Sequence, residues 1–160
     1  MQRLPFPRVR HAHPFTGIFA GALVAGVALE IYFLIAMPFL LHQFSPLEVL
    51  QWEASNVLGR AAFSQGAASA LAGVLMHFLV CIVWATLYVF GLGASRAAEL
   101  HPAIAGTIFG VVVWFVTTFL LLPLGAGPHL EVDALSILSG VFAHIVCFGI
   151  PLALVVSRVE

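Results

Sequence analysis

The chain has 160 residues, enough for one domain; 62% are hydrophobic, 8% are charged, and the mean hydropathy is +1.10. Those values exclude a water-soluble globular domain. Six arginines, no lysine and seven acidic residues leave a formal net charge of −1, which gives neither a basic stripe for nucleic acid nor a polybasic lipid-binding cluster, so the expected partner is the bilayer itself.

Arg3, Arg8, Arg10, His11 and His13 precede the first apolar run, which extends from Phe15 to Leu41. That run is too long for the apolar stretch of a secretion signal and predicts an uncleaved transmembrane helix. The next segment, "SPLEVLQWEASNVLGR", opens with Ser45, Pro46 and Glu48, a capping box with proline at the first helical position. Leu47, Leu50, Ala54, Val57 and Leu58 then recur at helical spacing. Glu48 and Glu53 lie elsewhere on the wheel, and Trp52 is available as an anchor, so a helix over about 46–58 is expected to lie on the outer membrane surface.

Three more spans follow, over about 67–92, 102–122 and 134–156. Helix is the form that satisfies backbone groups within lipid, and the runs lack the alternation of barrel strands. Cys81 and Cys147 fall inside these runs and read as small packing residues rather than a disulfide framework. "GLGASRAAELHP" is a short turn closed by Pro102, and "PLGAGPHLEVD" breaks the third span at Pro123 before Asp133 caps the fourth. Arg3, Arg8, Arg10, Arg96 and Arg158 fall on one side and Arg60 on the other, which orients both termini toward the cytoplasm. Gly21 to Pro38 and Gly106 to Pro123 share one separation, and "HFLVC" echoes "HIVC", the pattern of spans one and two repeated as three and four.

Polar residues interrupt the apolar runs at matching depth. His77 and His144 each lie ten residues into a span running inward, Glu30 lies eleven residues before the outer end of the first, and Thr117 and Thr118 fall at a similar level on the third. At 1.5 Å per residue the layer is about 15 Å below the outer edge. Gly66, Ala70, Gly73, His77, Cys81, Trp84 and Tyr88 make one stripe; Gly140, His144 and Pro151 make another; Gly106, Gly110, Trp114 and Thr117 a third; and Gly26 leads into Glu30. Small residues at four-residue spacing mark packing faces, so the imidazoles are expected to point into the bundle.

A charged group at mid-span costs about 2.5–3.5 kcal/mol, and several together rival a typical folding stability of about 5–15 kcal/mol. Such groups need partners. One reading is a hydrogen-bonded structural staple, fitting an accessory or assembly subunit. A second is a proton relay or small-solute path through Glu30, His77 and His144. A third is a bis-histidine haem or metal site on His77 and His144. At the outer face His42, His129, Glu131 and Asp133 make a candidate zinc or proton-sensing cluster, with solvated loop ends the plainer alternative, and His101 stands apart. No phosphate loop, metalloprotease pair or nucleophile elbow is visible.

"GTIFGVVVWFVTTFLLLPLGAGP", "FAHIVCFG" and "MHFLVCIVWATLYVF" together resemble the YagU-like family of small bacterial inner-membrane proteins, with His77, Pro123 and His144 as the anchoring matches. The likeness covers spans two to four. It implies a bacterial inner-membrane location and four spans, and it supplies no activity and no role for Glu30. The sequence therefore predicts an all-α integral membrane four-helix bundle with an additional outer interfacial helix. Its polar layer would be formed by Glu30, His77, Thr117, Thr118 and His144, no cofactor other than haem is suggested, and a conducting path would need a homo-oligomer or a membrane-complex partner.

Overall fold

The computed structural model describes residues 14–92, 100–128 and 133–159, and no strand occurs among them. Arg3, Arg8, Arg10, His11, His13, Arg96, His129 and Glu131 lie outside the described residues. Helix α1 (Pro14–Phe39) leads to α2 (Pro46–Leu58) and a 3-10 turn (Gly59–Ser64), followed by α3 (Ala67–Gly91), α4 (Pro102–Leu124) and α5 (Ala134–Val159). α1, α3, α4 and α5 are each long and apolar enough to cross a membrane. Their outward faces carry runs such as Leu71, Leu75, Leu79, Val83 and Leu87 on α3, and Ile104, Ile108, Val112, Phe115 and Phe119 on α4. An apolar belt of that extent suits lipid rather than water. The fold is the all-α membrane-type bundle with a fifth, shorter helix that the apolar periodicity predicts.

Helices α2, α4 and α5 start where the sequence supplies a side-chain acceptor for the first free amides. Ser45 Oγ accepts from Glu48 N, and Glu48 Oε2 accepts from Ser45 N at 2.8 Å, completing the capping box. These bonds hold the Glu48 carboxyl below its ordinary range. His101 Nδ1 accepts from Ala103 N ahead of Pro102. Asp133 Oδ1 accepts from Ser136 N at 2.7 Å, which likewise lowers its pKa. Asp133 is thus occupied as a helix cap. His42, its companion in the expected surface cluster, forms the left-handed turn after α1 with φ 52°.

Packing is strongest where glycine removes side-chain bulk. Gly106 lies on the backbone of Gly149 and Ile150, Gly110 on that of His144 and Ile145, and Gly21 against Leu152, so α5 seats between α4 and α1. Gly26 admits Phe78 and Cys81 of α3 to α1. The buried core belongs to the half of the bundle where α1 and α4 begin and α3 and α5 end: Ile18, Ala22, Trp84, Tyr88, Phe109, Leu152 and Val156. Edge-on contacts of Trp84 and Tyr88 with Phe109 close α3 onto α4 there.

Two features depart from expectation. Pro123 does not end α4, which continues to Leu124. A proline lacks its N–H and crowds the carbonyl four residues earlier; here the turn before it widens to π winding over Thr117–Leu121, with Leu122 N–H bonded to Thr117 O. The same device precedes Pro151, where residues Ala143–Gly149 are π-wound and Ile150 N–H bonds Ile145 O. Second, α2 is rotated away from part of its apolar stripe, of which only Ala54 is fully buried. Leu47, Val57 and Leu58 are exposed, while Val49, Gln51, Trp52, Ala54 and Ser55 are buried. Gly73 lets the Leu50 carbonyl approach α3, and Gln51 Nε2 donates to Gly66 O at 3.1 Å. Gly73 is six residues into α3, so α2 docks about 9 Å along that helix rather than resting above its end.

Candidate functional site

The docking of α2 decides what surrounds His77. Its Nδ1 lies 3.3 Å from Glu30 Oε2 and 3.1 Å from Glu53 Oε1. Glu30 comes from the middle of α1, His77 from the third turn of α3, and Glu53 from α2, and all three side chains are about nine-tenths buried. On the other side of the ring Nε2 lies 3.0 Å from Gly26 O, with Cys81 Sγ at 3.5 Å. Phe78 meets the ring edge-on.

A carbonyl oxygen can only accept, so the Gly26 contact assigns a proton to Nε2. In a neutral ring the Nδ1 lone pair then points at two carboxylate oxygens. The three donor atoms lie within 4.8 Å of one another. Glu30 Oε1 and Glu53 Oε2 are buried with no hydrogen-bond partner among the described residues. Three acceptors aimed at one point repel unless a proton or another cation is shared among them, and low local dielectric sharpens the penalty. Such an arrangement can hold a cation, either a proton shared between Nδ1 and the carboxylates or a metal ion.

The remaining polar groups of the expected layer are arranged differently. His144 is buried, but its Nδ1 pairs with Gly140 O at 2.8 Å on its own helix, and Phe33 packs edge-on against its ring. It makes no direct bond to His77. Both imidazoles instead line one cavity of about 200 Å³, together with Glu53, Thr117, Trp84 and Asn56. A second cavity of about 420 Å³ shares His144 and Thr117 with it and continues past Thr118, Trp114 and Ser139 toward Gln43 and Ser136. Thr117 Oγ1 and Gln43 Oε1 are buried in this lining without a hydrogen-bond partner among the described residues. Glu30 and His77 therefore meet directly, whereas His144, Thr117 and Thr118 join them through space.

Glu53 is not apparent as a site residue in the sequence, because it lies off the apolar stripe of a helix expected on the membrane surface. One signal was available. Glu48 and Glu53 are five residues apart, about 140° around a helix, so one can be docked while the other stays exposed. Trp52, Ser55 and Asn56 beside Glu53 mark the docked side: Trp52 Nε1 donates to Pro128 O, and Asn56 O accepts from Ala126 N at 2.9 Å, fastening the end of α4 over α2. No protein-family model, curated protein or solved structure matches this chain, so the site rests on its own geometry.

Proposed function

We propose that this protein is a small multi-pass membrane protein of solute handling whose buried centre, Glu30, His77 and Glu53, takes up a positively charged species. The observation that carries the reading is the convergence of two carboxylates on the imidazole nitrogen that faces away from Gly26. The proton is the simplest such species, and the cavity leading to Thr117 and His144 supplies a route past the centre. The arginine bias and the YagU-like resemblance support a bacterial inner-membrane location with cytoplasmic termini, which would set α2 and the two cavities toward the outside. Val80 of α3 and Leu121 of α4 line the same cavity and are exposed, so a second copy or a membrane partner packed on them would complete the path.

A specific observation favours a rival reading. Glu53 is also a polar tie from α2 to α3, so the same centre would act as a staple in an accessory subunit. Proteoliposomes under an imposed proton gradient separate the two. The solute reading predicts movement of protons or of a cation coupled to them, abolished by Glu53→Gln in a folded protein. No flux of either, with Glu53→Gln altering only thermal stability, would establish the staple.

A further inference from the structure

Resting on that reading, we infer that Glu30, Glu53 and His77 form a binding site for a divalent first-row transition metal ion, of the zinc or manganese class. The donor set is two carboxylate oxygens and one imidazole nitrogen, each offered by a different helix and all within 4.8 Å. Mixed oxygen and nitrogen ligation suits such ions, whereas magnesium and calcium favour oxygen alone. Two further observations point to a metal. Ligating histidines donate their other ring N–H to a carbonyl or carboxylate, which fixes the tautomer, and Nε2 stands 3.0 Å from Gly26 O in that relation. Glu30 is nine-tenths buried, and its Oε1 has no hydrogen-bond partner among the described residues.

Charge selects the valence. With a neutral imidazole and both carboxyls deprotonated, as metal ligation requires, the donor set carries −2, which a divalent ion cancels and a monovalent ion does not, and a buried site strongly favours cancellation. Three protein donors leave coordination positions open. The adjoining cavity of about 200 Å³, into which His77, Glu53, Thr117 and His144 face, has room for water ligands or for an ion in transit.

The test uses the full chain in lipid nanodiscs, dialysed against ZnCl2 or MnCl2 with elemental analysis of bound metal, and MgCl2 as comparison. One zinc or manganese ion per chain is expected, with Mg2+ binding at least tenfold weaker. Glu53→Gln and His77→Gln should each lower affinity tenfold or more while circular dichroism stays helical, and Glu48→Gln should leave it unchanged. Should a substitution unfold the protein, nitrogen-15 NMR of the wild-type His77 ring gives the same answer, since bound zinc must shift Nδ1 while Nε2 keeps the proton it gives to Gly26 O. Absence of stoichiometric metal, or binding that survives both substitutions, overturns the site. If metal is absent yet Glu53-dependent proton flux persists, the metal inference fails alone; if both are absent, the cation-uptake reading fails with it.

Discussion

His77 is held from both sides, and its two nitrogens have different duties. Nε2 is oriented by Gly26 O, a backbone group, so it is set by the approach of α1 to α3; Nδ1 is committed to Glu30 and Glu53. Removing the imidazole leaves two buried carboxylates facing one another. His77→Leu is therefore expected to destabilise the protein by about 3–5 kcal/mol, measured by denaturant unfolding in detergent micelles. His144→Phe should cost about 1 kcal/mol or less, because the bond lost is a local one to Gly140 O. Equal losses at both positions would contradict this division of roles. The depth of Glu30 and His77 could be read by counting residues along the spans, since helical rise is fixed. Glu53 could not, because its position depends on how α2 packs, which a 13-residue amphipathic pattern leaves undetermined.

Among the elements, α2 is the one whose placement makes the centre. Its hold on α3 depends on Gly73, where any side chain would run into the Leu50 carbonyl. Gly73→Val should undock α2, and reaction of a Val49→Cys thiol with a water-soluble reagent, slow in the otherwise native chain because Val49 is buried, should become fast. An unchanged rate would show that α2 is held otherwise. The capping box at Ser45 and Glu48 is legible in sequence because cap chemistry is local, and Ser45→Ala should cost about 1 kcal/mol in thermal unfolding. The lowered pKa of Glu48 means that the cap's ionic contribution is present above the ordinary carboxylate value, about 4.3, and fades as pH falls through the lowered value. Since Glu48 is solvent-exposed, that acid loss should be small, and it should vanish in Glu48→Gln. The π turns before Pro123 and Pro151 were not legible: a proline announces a disturbance, but neighbouring helices decide whether the helix stops or widens. They matter because Thr117 and His144 lie in them.

At the scale of the whole molecule the bundle divides into a dense half and a hollow half. Gly106, Gly149 and the Trp84–Phe109 contact close the first; the cavities bordered by Glu53, His77, Thr117 and His144 open the second, beneath α2 and the Pro128 segment. Four spans were legible because length and hydropathy are set by the bilayer, but the uneven filling comes from side-chain volumes meeting across helices. Gly106→Leu should overpack the dense half and cost at least 1–3 kcal/mol in denaturant unfolding, whereas Thr118→Leu, directed at the larger cavity, should cost less. The reverse order would refute the division. The central claim is that a positive charge resides between His77 and its two carboxylates, and nitrogen-15 NMR of the His77 ring in lipid nanodiscs tests it most directly. The account predicts a proton on Nε2 and an Nδ1 that bears either a proton or a metal ion; a neutral ring with a bare, unligated Nδ1, or one protonated only at Nδ1, would contradict it.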